Sequence, residues 1–251
     1  LRPALLGKEL RRVELRGLRG MDRLRVGDRV TAVESRGKYL EIEVARGFVL
    51  RTHLRMTGSW HLYRPDERWR RARHLARAVL ATDHSVAVCF AAPVVEVGRV
   101  GDRRLDHLGP DLCRSDVDLD EVVERVELLA EPTTEIAEVL LDQRIGAGIG
   151  NVYKSEALFA CRLDPFTPVV GVSGDDRRRV FETASRQLRA NLEPGRRETV
   201  PGGLAVYART RKPCLACGTP IAARDQGPQG RRTYWCPRCQ DSAAIRSTPS
   251  T

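Results

Sequence analysis

Cys214-Leu215-Ala216-Cys217 and, eighteen residues later, Cys236-Pro237-Arg238-Cys239 form two Cys-x2-Cys pairs near the end of the sequence. Each pair places two thiolates on one tight turn, and two such turns close a tetrahedral zinc site with no position open for water. Two disulfides or free thiols are the alternative, and both fit a cytosolic chain poorly. We expect one structural Zn²⁺ that holds a β-hairpin whose own core is too small to fold alone.

Basic side chains surround these cysteines. Between residues 209 and 238 a single acid, Asp225, stands against seven cations: Arg209, Arg211, Lys212, Arg224, Arg231, Arg232 and Arg238. The whole chain of 251 residues carries a formal net charge of +10, with a pI of about 9.7. Such a field suits a polyanionic partner, although an arginine-rich genome has a similar effect. The hairpin is therefore predicted to face phosphates.

Neither a membrane span nor an export signal is apparent in the sequence. No run of about 18 apolar residues occurs, and residues 1–6 lack the apolar region and cleavage site of a signal peptide. We expect a cytoplasmic protein without a membrane partner. In that reducing compartment Cys89, Cys113 and Cys161, which lie among apolar neighbours, are predicted to be small core residues.

A glycine-rich turn, Ile145-Gly146-Ala147-Gly148-Ile149-Gly150-Asn151, marks the middle of the second half. Its glycines mimic a dinucleotide-binding fingerprint, but a helical pattern precedes them where that fingerprint requires a strand. We predict two helices joined by a turn whose backbone N–H groups, with the following helix N-terminus, bind a phosphate. Asn151 is expected to cap the second helix and to place its amide on the same phosphate. The alternative is a purely structural turn with Asn151 as its cap.

Two segments of the first half carry candidate functional side chains. Ser35-Arg36-Gly37-Lys38-Tyr39-Leu40 is a turn into a strand with Lys38 at its mouth, although a lysine beside a hairpin is usually a solvated charge. In Thr52-His53-Leu54-Arg55-Met56-Thr57-Gly58-Ser59-Trp60, Met56 has polar, loop-like neighbours. An exposed thioether there can act as a wedge between bases, whereas core packing is the alternative.

The hydrophobic pattern predicts strands first and helices second. Short alternating segments between about residues 10 and 112, among them 13–15, 29–33, 39–44 and 86–90, predict a sandwich or barrel. After Pro110 the period becomes helical. We predict a helix capped by Ser115 or Asp116 and running to Leu129, another capped by Thr133 or Thr134 and running to Ile145, and a third over residues 171–192 that Pro194-Gly195 ends.

In this order, the motifs resemble the formamidopyrimidine-DNA glycosylase and endonuclease VIII family, most of all its actinobacterial endonuclease VIII branch. The resemblance implies an α+β multidomain fold. Its parts are an N-terminal β-sandwich (residues 1–113), a helix-two-turn-helix domain (114–205), a four-cysteine zinc β-hairpin finger (206–241) and a frayed tail (242–251). It also implies a monomer that binds damaged DNA between its domains and flips the damaged nucleotide out of the stack.

The resemblance gives four residues of this chain a role on DNA. Lys38 matches the family lysine that contacts a phosphate beside the lesion and is needed for base removal, and Arg231 matches the finger arginine that grips the backbone. These two form the expected catalytic set in the chain. Met56 lies where the family inserts a side chain into the gap left by the flipped base. Asn151 matches the turn asparagine on the lesion-flanking phosphate.

The chemistry implied by the family is covalent catalysis by an amine. An N-terminal proline attacks the sugar C1′, the neighbouring glutamate transfers protons, and the Schiff base leads to loss of the base and strand cleavage by elimination. No metal or nucleotide takes part. The sequence begins with Leu1, roughly a dozen residues beyond that proline and glutamate. We therefore expect the chain from Leu1 to bind damaged DNA but to excise bases weakly or not at all.

The substrate is expected to be an oxidised pyrimidine or an abasic site. Residues 91–98, Ala-Ala-Pro-Val-Val-Glu-Val-Gly, do not keep the arginine and phenylalanine that the formamidopyrimidine branch inserts opposite its lesion. The predicted function is a base-excision repair DNA glycosylase with AP lyase activity, associated with the nucleoid. The alternative is a non-catalytic zinc-finger nucleic-acid-binding protein. A zinc-dependent enzyme is disfavoured because four cysteine ligands leave no open coordination position.

Overall fold

The computed structural model describes residues 1–16, 23–193 and 195–241. It separates into two compact units, Leu1–Leu105 and Asp106–Thr251. The predicted tail, 242–251, and Pro194 of the predicted helix stop lie outside the described residues. Within the described ranges, no helix is both long and apolar enough to span a membrane.

The first unit is an antiparallel β-sandwich, as the strand pattern predicts. A short helix, α1 (Arg2–Leu5), precedes the strands. The strands are β1 (Arg12–Leu15), β2 (Val30–Arg36), β3 (Tyr39–Val44), β4 (Phe48–His53), β5 (Ser59–Tyr63), β6 (Ala76–Ala81), β7 (Val86–Phe90) and β8 (Val94–Arg99). One sheet has the order β1-β6-β7-β5 and the other the order β2-β3-β4-β8.

Period-two alternation explains how the sheet containing β7 is buried on both faces. Ala87 and Cys89 point into the main core, where Ile42 and Leu50 of the other sheet also lie. Val88 and Phe90 point the opposite way, into a second apolar cluster that includes Tyr63 and Trp69. A strand buried on both faces has no polar face, so β7 reads as the continuous apolar run Val-Ala-Val-Cys-Phe.

The second unit contains helices and a hairpin. The helices are α2 (Leu119–Leu129), α3 (Ile136–Val139), α4 (Asn151–Ala160) and α5 (Gly174–Arg189), and the hairpin strands are β9 (Ala222–Gln226) and β10 (Arg231–Trp235). Phe181 of α5, Leu158 of α4 and Val126 of α2 share one core. Cys161 is buried in that core, Cys113 is partly buried beside it, and Cys89 is buried in the sandwich, which confirms the three predicted core cysteines.

The predicted helix starts were wrong by a few residues. Helix α2 begins after Asp118, not Ser115 or Asp116, because the Asp118 carboxylate accepts from the backbone N–H groups of Asp120 (2.9 Å) and Glu121 (3.2 Å). Helix α5 begins after Ser173, whose hydroxyl accepts from the Asp176 N–H at 3.1 Å.

The helix predicted from Thr133 or Thr134 to Ile145 is only one turn long, and its N-cap is Glu135. Beyond Val139 the backbone tightens, since the Leu141 and Asp142 N–H groups donate to carbonyls three residues back. The Gln143 side chain then donates to the Leu141 carbonyl at 2.8 Å. The apolar spacing from Ile136 to Ile145 thus reflects a buried turn instead of a continuous helix.

Candidate nucleic-acid interface and metal centre

The four predicted zinc ligands come together. The Sγ atoms of Cys214, Cys217, Cys236 and Cys239 all lie within 4.8 Å of one another. Two of the Sγ to Sγ separations are 3.9 Å, from Cys214 to Cys239, and 3.5 Å, from Cys217 to Cys236. Tetrahedral coordination with Zn–S bonds of about 2.3 Å needs sulfur atoms about 3.8 Å apart. The donor set therefore fits a structural metal ion.

The amides of the glycine-rich turn are mostly used inside the protein. Those of Ala147 and Gly148 donate to the Pro110 carbonyl (2.9 Å) and to the Gln143 Oε1 (3.1 Å), and the Gly146 amide donates to the Asp142 carbonyl. Gly148 has a φ of +113°, which favours glycine. Among the described residues, the amides of Gly150, Asn151 and Val152 have no acceptor. The amides that remain available for the predicted anion site are therefore those at the start of α4.

Asn151 does not cap α4, contrary to the prediction. Gly150 is the N-cap residue and Asn151 is the first residue of the helix. Its Nδ2 donates to the backbone carbonyl of Arg232 at 2.7 Å, while its buried Oδ1 has no partner among the described residues. The Asn151 side chain therefore joins the glycine-rich turn directly to hairpin strand β10, which carries Arg231.

Lys154, one helical turn further on, makes a second link to the hairpin. Its side chain is buried, and its Nζ donates to the Thr233 Oγ1 at 2.7 Å. Thr233 donates in turn to the Gln226 Oε1 at 2.5 Å, which bridges the two hairpin strands. Burial and then the Arg231 cation lower the pKa of Lys154 to about 8, while the Glu138 carboxylate acts in the opposite direction.

Glu156 holds the segment that leads into the hairpin. Its buried carboxylate accepts from the backbone N–H groups of Ala205 (2.8 Å), Val206 (2.8 Å) and Tyr207 (2.7 Å), and also from the Thr199 hydroxyl. A carboxylate that accepts several amide hydrogen bonds is strongly stabilised by them. One helix, α4, thus carries the unbonded amides at its start, the two hairpin links and the anchor of the connecting segment.

Arg231 lies at the surface of the hairpin, beside a cavity of about 480 Å³ that Lys154 and Glu138 also line. Its nearest side-chain partner is the neutral Gln229, whose Oε1 is 3.4 Å from Nε. The other two arginines of the hairpin strands have carboxylate partners, with Arg232 bonded to Asp225 (3.4 Å) and Arg224 to Glu135 (3.5 Å). Arg231 is thus better placed than either for an external anion.

In the first unit, Lys38 follows β2 and immediately precedes β3. Tyr39, the next residue, pairs across the sheet with His53, the last residue of β4. Burial and then the cations of Lys38 and Arg55 lower the pKa of His53. Lys38 and Arg55 thus place positive charge near His53 at this end of the sheet.

Met56 is 88% exposed, so the core-packing alternative is wrong. Its turn is fixed by its neighbours. The Thr57 hydroxyl donates to the Ala91 carbonyl at 3.0 Å, and a side chain at Gly58 would lie within 3.0 Å of backbone atoms of Leu54 and Ala92. A firmly held turn with an apolar side chain at its tip has the form expected of a base-stack wedge.

Sequence reasoning missed three side chains that hold the glycine-rich turn, α4 and the hairpin together: Lys154, Glu156 and Gln143. Lys154 and Glu156 stand in the helix that follows the glycine-rich turn, where charged residues usually face solvent. An available signal was the spacing of Asn151, Lys154 and Ser155, which lie on one helical face. Nothing in the sequence, however, says that a hairpin 80 residues later covers that face.

Comparisons with known proteins agree with this arrangement. The family model for the formamidopyrimidine-DNA glycosylase N-terminal domain matches residues 1–93, and the model for the formamidopyrimidine-DNA glycosylase H2TH domain matches residues 108–200. Among curated proteins, "Probable endonuclease 8 2" of Streptomyces coelicolor is 40% identical, with 98% of this chain and 91% of the relative covered. The "DNA-(apurinic or apyrimidinic site) lyase Nei2" of Mycolicibacterium smegmatis is 36% identical, with 97% and 95% covered.

A solved structure extends the agreement to the fold. The MutM (Fpg) protein from Thermus thermophilus superposes with a TM-score of 0.76 at 32% identity, covering 96% of this chain and 94% of that one. The chain belongs to the formamidopyrimidine-DNA glycosylase and endonuclease VIII family.

Proposed function

We propose that the protein is a base-excision repair DNA glycosylase with AP lyase activity that acts on oxidised pyrimidines and abasic sites in DNA. The observation that carries the proposal is the hydrogen bond from the Asn151 Nδ2 to the Arg232 carbonyl. This bond places the unbonded amides at the start of α4 beside the strand that carries Arg231. Together they make one site for the phosphates next to a lesion.

Each unit contributes its own contacts to DNA. Lys38 supplies positive charge for a phosphate beside the lesion, and Met56 fills the space that the flipped nucleotide leaves. Asn151 and Arg231 hold the lesion-flanking backbone. Extrusion of the nucleotide is needed because the sugar C1′ cannot be reached within the stack. The family's amine chemistry then removes the base and cleaves the strand.

The four cysteines hold one Zn²⁺ in this proposal. Four thiolates fill a tetrahedral shell, so the ion has a structural role and fixes the hairpin on which Arg231 lies. The reaction itself needs no metal, since the attacking group is an amine. The proposal also takes the protein to be a cytoplasmic monomer that is associated with the nucleoid.

The segment 91–98 supports oxidised pyrimidines as substrates. Val95 and Val97 are buried in the sandwich core, and Glu96 pairs with Arg104 at 3.2 Å. Arg51 of the adjacent strand β4 already pairs with Glu41 and Asp102. This part of β8 therefore presents neither the arginine nor the phenylalanine that the other branch inserts opposite its lesion.

The test is a strand-cleavage assay with the full-length protein on matched duplexes that contain thymine glycol, an abasic site or 8-oxoguanine. We expect protein that carries the family's N-terminal proline and glutamate to cleave the first two duplexes and to cleave little of the third. Arg231→Ala is expected to lose most of the activity, whereas Arg232→Ala, next to it but paired with Asp225, keeps it. Salt-dependent binding of all duplexes without any cleavage would favour the non-catalytic alternative.

A further inference from the structure

An arginine-rich loop of the first unit lies outside every role described so far. Residues 64–75 connect β5 to β6 and contain Arg-Pro-Asp-Glu-Arg-Trp-Arg-Arg-Ala-Arg-His-Leu. Arg68, Arg70 and Arg73 are exposed, and Arg71 is half-buried. Residues 68–73 border a shallow depression.

Aromatic contacts fix this loop although it has little regular secondary structure. Trp69 stacks on Tyr63 with ring centroids 6.2 Å apart and meets Phe90 edge-on at 5.8 Å. The backbone N–H of Arg70 donates to the Tyr63 hydroxyl at 3.2 Å. The guanidinium groups of Arg73 and Arg71 lie over the Trp69 and Phe90 rings at 5.0 and 5.7 Å. Cations held against rings lose little freedom when they bind a ligand.

The charge of the loop is largely uncompensated. In the part of the chain that the structure describes, no carboxylate pairs with Arg68, Arg71 or Arg73, and Arg70 has only a 4.0 Å contact with Glu67. The field reaches neighbouring groups, because burial and then the Arg71 and Arg70 cations lower the pKa of His61. Four guanidinium groups within six residues form a receptor for closely spaced anions.

Two hydrogen-bonded connections tie the loop to the Met56 turn. Arg71 Nη1 donates to the Ser59 Oγ at 2.8 Å, three residues beyond Met56. At the other end of the loop, the Leu75 carbonyl accepts from the Ala91 N–H at 2.8 Å, and the Ala91 carbonyl accepts from the Thr57 hydroxyl. The loop and the wedge are thus parts of one hydrogen-bonded assembly within the first unit.

We propose that the loop of residues 64–75 is a second DNA-backbone site, in which Arg68, Arg70 and Arg71 bind consecutive phosphates next to the base step that Met56 enters. The inference rests on the proposed function, because it takes Met56 as the wedge. A phosphodiester chain is the favoured ligand because it offers regularly spaced anions beside that step, as an acidic peptide would not. The phosphate contacts hold the DNA backbone in the kinked form that insertion of the side chain produces.

The test compares two double variants that each remove two positive charges from the full-length protein. Arg68→Ala/Arg70→Ala changes the loop, and Lys8→Ala/Arg186→Ala is the charge-matched control at exposed positions elsewhere. Affinity for an abasic-site duplex is measured across a series of salt concentrations. We expect the loop variant to bind about 10- to 30-fold more weakly and its log–log salt slope to shrink by about 2, one unit per lost phosphate contact. The control should stay within about threefold.

Ethylation interference locates the contact. Phosphates whose ethylation weakens binding of the native protein but not of the loop variant should lie within a few nucleotides of the lesion. Unchanged tryptophan fluorescence and thermal midpoint show that the loop variant is folded. If it matches the control in affinity and salt slope while the native protein binds damaged DNA, the second site is refuted and the proposed function stands. A native protein that shows no salt-dependent DNA binding would overturn both.

Discussion

The β-sandwich and the cysteine hairpin are stabilised by different means. Sixteen buried apolar residues fill the main core of the sandwich. The hairpin cluster has only five buried residues, two of which are the cysteines Cys214 and Cys236. Its place on the protein is set by polar side chains of α4. A region built in this way should respond to metal removal, pH and single polar substitutions far more than a region built on apolar burial.

Metal removal should separate the two regions most clearly. Structural zinc contributes on the order of 10 kcal/mol to the folding of such small domains, so a chelator should unfold the hairpin. We expect rapid proteolysis within residues 209–238 and loss of DNA binding, while the sandwich keeps its thermal transition. Cys217→Ser should show the same pattern without a chelator. Continued protection of the hairpin after measured metal loss would show that the polar links suffice alone.

Substitution of Glu156 should have the next largest effect. Glu156→Gln replaces a carboxylate that accepts hydrogen bonds from three backbone N–H groups with an amide, whose NH2 is itself a donor. We therefore expect a loss of about 3 kcal/mol in the free energy of unfolding. Denaturant unfolding of the second unit measures it. The control is Glu182→Gln on the exposed side of α5, which should change stability by less than about 0.5 kcal/mol. Equal effects of the two substitutions would mean that the anchor contributes nothing special.

Lys154 should make the folding stability of the second unit depend on pH. Its pKa is about 8 in the folded protein and 10.5 ordinarily, so the unfolded chain binds more protons between these values and folding stability should rise with pH there. The full difference corresponds to at most about 3 kcal/mol. We expect Lys154→Met to remove this rise in denaturant unfolding between pH 7.5 and 9.5. Identical pH profiles for the variant and the native protein would contradict a buried, charged Lys154.

The smallest expected effect tests the sandwich side. Lys38 is one of the cations that lower the pKa of His53, so Lys38→Ala should raise that pKa. An NMR titration of the His53 ring measures the shift. Lys8→Ala, which removes an exposed charge elsewhere in the same unit, should leave the pKa of the His53 ring unchanged. A fall in the His53 pKa on removal of Lys38 would contradict the placement of the two groups.

The sequence predicts the parts of this protein whose signals are local. The cysteine spacing predicts the metal-binding cluster, and alternation predicts the sandwich strands. The contacts of Asn151, Lys154 and Glu156 could not be predicted, because their partners at Arg232, Thr233 and Ala205 lie about 50 to 80 residues away. The helix predicted from Thr133 or Thr134 to Ile145 was wrong for a different reason. Apolar residues at helical spacing were needed for a buried turn, and the spacing alone does not distinguish the two.

The most direct test of the proposed function is borohydride trapping, on an oligonucleotide with a single abasic site, of protein that carries the family's N-terminal proline and glutamate. An amine-catalysed lyase forms a Schiff base with the sugar, and reduction converts it to a stable protein–DNA adduct. We predict an adduct that depends on the abasic site and is strongly reduced by Arg231→Ala but not by Arg232→Ala. Tight binding to the same oligonucleotide without any adduct would contradict the catalytic claim.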